Sequence, residues 1–132
     1  MSGDFTPILY VKSSCPHCFK LRLFLLEAGL IDRFEIHEFS AGDEREAAIK
    51  AELAPHLDGV SFPTVQYAPG QFQMESDDIV ARYASEAQVD PSDLPLFSVY
   101  AGTLLPRLRR LNQENKALVA QLAAAGGTTE GS

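Results

Sequence analysis

Apolar positions along the chain change their spacing several times, and each change marks an element. Ile8-Leu9-Tyr10-Val11 is a short run of strand formers closed by Lys12-Ser13-Ser14, the pattern of a buried strand. From Pro16 to Ala28, residues Phe19, Leu21, Leu23, Phe24, Leu25 and Leu26 predict a mostly buried helix, and Gly29 is placed to end it. Arg33 to Phe39 alternates charged residues with Phe34, Ile36 and Phe39, which predicts a half-exposed strand. Gly42 to Leu57 is rich in Ala, Glu and Lys and predicts an amphipathic helix with Pro55 near its end. Val60-Ser61-Phe62-Pro63 leads into the strand-like Thr64-Val65-Gln66-Tyr67. Pro69-Gly70 marks a turn, and Gln71 to Met74 returns as the second arm of a hairpin. Ser76 to Ala87 predicts another helix, with Ser76 as N-cap and Asp77 and Asp78 in the first turn, where the helix dipole favours them.

The predicted order is β-α-β-α-β-β-α over residues 1–87. A parallel strand pair joined by a helix, then a hairpin and a helix, predicts an α/β sandwich on a small mixed sheet. Asp90-Pro91-Ser92-Asp93-Leu94-Pro95 is a polar connector within a helical extension over residues 88–125. In that extension Gly102 and Pro106 interrupt the stretch from Leu96, and a long helix then runs through Ala125. Residues 126–132 have the composition of a flexible tail. Leu104, Leu108, Leu111, Asn115, Leu118, Leu122 and Ala125 recur at alternating steps of four and three. Leu104, Leu111 and Leu118 thus share one heptad position, and Leu108, Asn115 and Leu122 share the other. Two roles remain open for this helix. Leu105 and Val119 broaden the stripe as packing on the α/β unit would require, while a lone Asn at such a seam sets register in parallel homodimers.

Composition narrows the function classes. The 132 residues carry 11 Lys plus Arg against 18 Asp plus Glu, a formal charge of -7. That balance argues against a nucleic-acid or anionic-membrane binder, which would show a basic footprint. Arg107, Arg109, Arg110 and Lys116 form only a small solvated basic face. The N-terminal residues Met1 to Pro7 have neither a positive n-region nor a following apolar h-region, so the expected compartment is cytoplasmic and reducing. Two cysteines are too few for a disulfide framework.

Those two are Cys15 and Cys18, separated by Pro16 and His17 at a strand-to-helix junction. Proline suits the first turn of a helix, so Pro16 fixes the helix start and puts Cys15 at or beside the N-cap. A thiolate there faces unpaired N–H groups and the positive end of the dipole, which lowers its pKa. One helical turn separates the two Cα atoms by about 5–6 Å, within reach of a disulfide. Cys15 is then the nucleophile and Cys18 the resolving thiol, and a protonated His17 adds to thiolate stabilisation. Half a zinc site completed by His17, His37 or His56 is the competing reading. His17 is poorly placed within the same turn, and His37 and His56 fall in unrelated elements, where side chains without a role are the simpler account.

Three segments carry a family resemblance. Val11-Lys12-Ser13-Ser14-Cys15-Pro16-His17-Cys18 resembles the active-site segment of glutaredoxins. Phe62-Pro63-Thr64-Val65 resembles the cis-proline segment shared by glutaredoxins and glutathione S-transferases. Glu75-Ser76-Asp77-Asp78-Ile79 resembles the motif with which transferase N-terminal domains hold the γ-glutamyl end of glutathione. The resemblance spans residues 5–87 and implies a thioredoxin-like fold with a glutathione site. It implies that Lys12 offers a cation to a glutathione carboxylate. It also implies a cis bond before Pro63, leaving the Phe62 backbone to pair with the cysteinyl part of the tripeptide. Glu75 would receive the ammonium, and Ser76 with the N–H groups of Ser76 and Asp77 the carboxylate. Simple helix capping is the other reading of Ser76-Asp77-Asp78. The sequence departs from glutaredoxins in having His17 where an aromatic is usual and in lacking a Gly pair before the acidic residues. His17 is instead similar to strongly oxidising thiol oxidases.

The resulting expectation is a glutathione-dependent thiol–disulfide oxidoreductase of the glutaredoxin type. Its co-substrate would be glutathione, and its partners glutathionylated or disulfide-bearing proteins. A transferase-like enzyme conjugating glutathione to electrophiles, or a non-enzymatic iron–sulfur or partner-binding module, are the alternatives.

Overall fold

The computed structural model describes residues 5–126. They divide after Ser98 into two compact units. Of the tail predicted over residues 126–132, Gly126 is the last residue of a helix, and 127–132 lie outside the described residues. In the first unit, strand β1 (Ile8–Lys12) lies inside a four-stranded mixed sheet ordered β2-β1-β3-β4. It pairs parallel with β2 (Glu35–Phe39), in a register that sets Tyr10 against His37, and antiparallel with β3 (Thr64–Ala68). β3 and β4 (Gln71–Met74) form the hairpin predicted from Pro69-Gly70, and Gly70 takes the left-handed conformation the turn demands (φ 71°). Helix α1 (Pro16–Glu27) makes the crossover from β1 to β2. α2 (Glu44–Leu53) and α3 (Ser76–Ala87) follow in the predicted order. A mixed α/β unit with this sheet is consistent with a thioredoxin-like fold.

Side chains on β1 alternate between two faces because a strand repeats every two residues. Tyr10 enters a core with Phe39 and with Ile49 and Leu53 of α2, flanked by Ile8, Leu57, Val60, Phe62 and Phe72. Leu9 and Val11, fully buried, point to the opposite face. Leu21, Phe24 and Leu25 of α1 and Ile79, Val80 and Tyr83 of α3 are buried as well, and the two helices pack against each other. A strand buried on both faces has no polar alternation, which is why Ile8 to Val11 is uniformly apolar.

Helix ends follow local chemistry. α1 closes in a Schellman motif: Leu30 N–H donates to the Leu25 carbonyl (2.7 Å) and Gly29 N–H to Leu26 (3.1 Å), with Gly29 left-handed at φ 76°. α2 opens with Asp43 as its N-cap, accepting from Glu46 N–H (3.0 Å), while the Glu46 carboxylate reaches one residue further back and accepts from Gly42 N–H (2.7 Å). It is shorter than expected. Pro55 cannot donate to an i−4 carbonyl, so the last turn, Ala54–His56, tightens into a 3-10 helix. The start of α4 (Pro95–Val99) is held by Glu27, whose two carboxylate oxygens accept from the N–H groups of Leu96 (2.9 Å) and Phe97 (2.7 Å).

The second unit holds a π-helical segment, Tyr100–Leu104, and α5 (Leu105–Gly126). Gly102 and Pro106 therefore do not break the helical path as expected. Pro106 lacks an N–H, and its ring opposes the carbonyl four residues back, that of Gly102. A locally widened turn accommodates both. No helix among the described residues is long and apolar enough to cross a membrane.

Leu53 has no exposed surface, whereas Leu26 is 63% exposed. Leu53→Ala is expected to cost about 2–5 kcal/mol in urea unfolding, through lost burial and the cavity left behind. Leu26→Ala should stay within about 0.5 kcal/mol of the parent.

Candidate active site

The turn after β1 delivers Cys15 to the mouth of α1. Cys15 N–H donates back to the Lys12 carbonyl (3.2 Å), and its own carbonyl accepts the Phe19 N–H (3.0 Å). Between these bonds the residue is extended (φ -91°, ψ 120°) and forms the N-cap, with Pro16 leading the helix. Its Sγ accepts the N–H of Cys18 at 3.3 Å, the position a serine or aspartate oxygen takes in an ordinary cap.

This environment splits the two thiols. Cys15 is held down to about 5 from an ordinary value near 9. The largest cause is a hydrogen bond from the Cys18 thiol. The backbone N–H groups of Cys18 and His17 and the charge of His17 act in the same direction, against partial burial. Cys18 is pushed far up, first because its proton is engaged by the Cys15 sulfur and then because it is buried. The Lys12 N–H approaches the Cys18 sulfur at 3.4 Å. One proton therefore serves both sulfurs and resides on Cys18.

Opposite Cys15 stands the loop before β3. The Phe62–Pro63 peptide is cis, as the resemblance implied. Cys15 Sγ lies 3.9 Å from the Phe62 carbonyl oxygen, to which its thiol form donates. Beside this pair is an open cavity of about 200 Å³ lined by His17, Ser61, Phe62, Pro63, Glu75 and Ser76. Three segments distant in sequence thus meet in one hollow at the end of α1. No protein-family model matches the chain, and no curated protein matches it.

One predicted placement changes. Ser76 is not the N-cap of α3. Glu75 holds that position in a left-handed conformation (φ 74°, ψ 109°) and makes no side-chain cap bond, while Ser76 is the first helical residue and is buried. A non-glycine residue at that φ stores backbone strain, of a kind that gathers at binding sites. Lys12 and Asp77 do not line the cavity. Lys12 takes part through its main chain, as above. The Asp77 carboxylate is engaged 2.5 Å from Nζ of Lys20, whose side chain is 8% exposed.

Sequence reasoning passed over Lys20. Its one signal was a lysine inside the otherwise apolar run from Phe19 to Leu26. From the middle of α1 it ties that helix to the first turn of α3, the element carrying Glu75 and Ser76 into the cavity. The other histidines are engaged elsewhere. His37 Nε2 lies 2.7 Å from Glu35, and the His56 ring rests on Phe72 at 4.6 Å. No group of three or more His, Cys, Asp or Glu among the described residues is arranged to hold a metal ion.

The pH dependence follows from these directions. A thiol with a lowered folded pKa stabilises the reduced fold fully above the unfolded value of about 8.5, and that contribution is lost as the pH falls to about 5. Alkylation of the reduced protein by iodoacetamide is expected to follow one midpoint near pH 5 and to label Cys15 alone. In Cys18→Ala, which removes the proton donor, the midpoint should move up toward that of an ordinary thiol.

Proposed function

We propose that the protein is a glutathione-dependent thiol–disulfide oxidoreductase of the glutaredoxin type, built on a thioredoxin-like fold. The observation that carries the reading is the division of labour at the start of α1. Cys15, half-exposed, is held as a thiolate at the N-cap, while Cys18, one turn inward and buried, keeps the shared proton. A thiolate at pH 7 is the attacking species of disulfide exchange, and a buried protonated neighbour waits until it is needed.

In the first step the Cys15 thiolate attacks the glutathionyl sulfur of a protein–glutathione mixed disulfide. The old S–S bond breaks, the substrate thiolate leaves and takes a proton, and Cys15 carries the glutathionyl group. A second glutathione thiolate then attacks that group, giving oxidised glutathione and restoring the Cys15 thiolate. On a protein disulfide, Cys15 forms a mixed disulfide with one substrate sulfur. Cys18 then loses its proton to the leaving thiolate and attacks Cys15, which leaves a Cys15–Cys18 disulfide and a reduced substrate. Two glutathiones reduce that pair again.

Several features support glutathione as co-substrate. The cavity beside Cys15 is lined by both polar and apolar residues, with Phe62 among them for the cysteinyl part. The N-terminal turn of α3, with Ser76 and Asp77, suits a carboxylate, and exposed Glu75 suits an ammonium. Lys12, the last residue of β1 before the Cys15 turn, offers a cation. The Lys20–Asp77 pair leaves the Asp77 carboxylate already compensated, so it opposes an incoming carboxylate less. Such a reaction belongs to a glutathione-rich, reducing compartment such as the cytoplasm.

The test is turnover of a small glutathione mixed disulfide with glutathione. Cys15→Ser is expected to abolish it, whereas Cys18→Ser keeps a large part of the rate but loses reduction of protein disulfides. Activity that survives loss of Cys15, or conjugation of glutathione to an electrophilic aromatic without any disulfide turnover, would overturn the reading.

A further inference from the structure

Helix α5 presents a line of apolar residues that its own unit does nothing to cover. Leu111, Leu118 and Leu122 are 48%, 57% and 66% exposed and Leu108 37%, and Leu104, the last residue of the π-helical segment that leads into α5, is 51% exposed. Spaced by alternating fours and threes, they make a heptad seam with Leu104, Leu111, Leu118 and Ala125 at d and Leu108, Asn115 and Leu122 at a. We propose that α5 pairs with α5 of a second copy of this chain as a parallel, in-register coiled coil. The inference is independent of the redox chemistry at Cys15.

Asn115 decides the occupant and its direction. In a parallel, in-register pair both Asn115 side chains fall in the same layer, and each amide offers the other a donor and an acceptor. In an antiparallel pair, a positions layer against d positions, so each Asn115 would face a leucine and lose its hydrogen bonds inside an apolar seam. A partner of different sequence would need its own amide at that one layer, whereas a second copy supplies it by symmetry.

The flanking positions agree. Arg107, Glu114 and Gln121 occupy g, and Leu105, Asn112 and Val119 occupy e. In a parallel pair g of one helix faces e of the next heptad on the other. Arg107 therefore meets Asn112 of the second copy, and Glu114 meets Val119 of the second copy. No like charges oppose each other. Arg109, Arg110 and Lys116 sit at b and c, away from the seam, and Val119, 56% exposed, gains cover beside it. The seam from Leu104 to Ala125 covers about 33 Å of helix at 1.5 Å per residue, three heptads, with one polar layer. That length suits a dimer that dissociates on dilution.

Sedimentation equilibrium of the full chain should give a mass approaching twice 14.4 kDa, falling toward the monomer on dilution. The double variant Leu111→Asp, Leu118→Asp should stay monomeric while its Cys15 alkylation profile is unchanged, which separates loss of pairing from loss of fold. Direction is read by placing a cysteine at the end of the seam, Ala125→Cys in a Cys15→Ser, Cys18→Ser background. Mild oxidation should yield a covalent dimer, because only a parallel register brings the two positions together. A parent that is monomeric at every concentration overturns the proposal. So does a dimer that persists in the double aspartate variant, or one that Ala125→Cys fails to cross-link.

Discussion

The site rests on one proton shared by two sulfurs. Cys15 occupies the N-cap of α1, where the Cys18 N–H reaches its sulfur and the first-turn N–H groups concentrate positive potential. Cys18 is buried in the core side of the same turn, where a negative charge is costly. Both effects push the proton the same way. Neither cysteine is unusual alone; their difference comes from one being at the rim of the helix and the other a turn inside it. Pro16 secures this arrangement, since it leads α1 without sacrificing a hydrogen bond and leaves Cys15 as the residue before the helix.

Everything else in the first unit brings a second surface to that sulfur. The buried strand β1 ends just before the Cys15 turn, and its antiparallel neighbour β3 begins just after the cis bond at Pro63, so the Phe62 carbonyl arrives opposite Cys15. α3 brings Glu75 and Ser76 to the same hollow. The Lys20–Asp77 pair fixes α1 to the first turn of α3 and so couples the thiolate end of the site to its polar end. A buried ammonium with a largely exposed carboxylate partner adds little net stability by itself. Its contribution here is positional: it holds two halves of one site at a fixed spacing.

Much of this was legible in the chain, for physical reasons that differ by element. Ile8 to Val11 is uniformly apolar because both faces of β1 are covered, and the Pro16–Gly29 span carries its own start and stop signals. The Cys15 cap followed from Pro16 alone. Three features were not legible. Glu75 rather than Ser76 holds the N-cap position of α3, at a positive φ that a glutamate rarely adopts and that contradicts local preference. The role of Lys20 depends on a partner 57 residues away, which periodicity cannot register. The segment around Gly102 and Pro106 looked like a break because each residue disfavours a helix separately. Their four-residue spacing lets one widened turn absorb both.

On the proposed reading Cys15, and no other group, accepts a glutathionyl sulfur while Cys18 waits to displace it. Intact-protein mass spectrometry after brief exposure of reduced Cys18→Ser to oxidised glutathione tests this directly. A single added glutathione is expected, located on Cys15 by peptide mapping. In the parent chain, the same exposure should give instead a Cys15–Cys18 disulfide with no retained glutathione. A Cys18→Ser protein that takes up no glutathione at pH 7, under conditions that modify an ordinary free thiol, would contradict it.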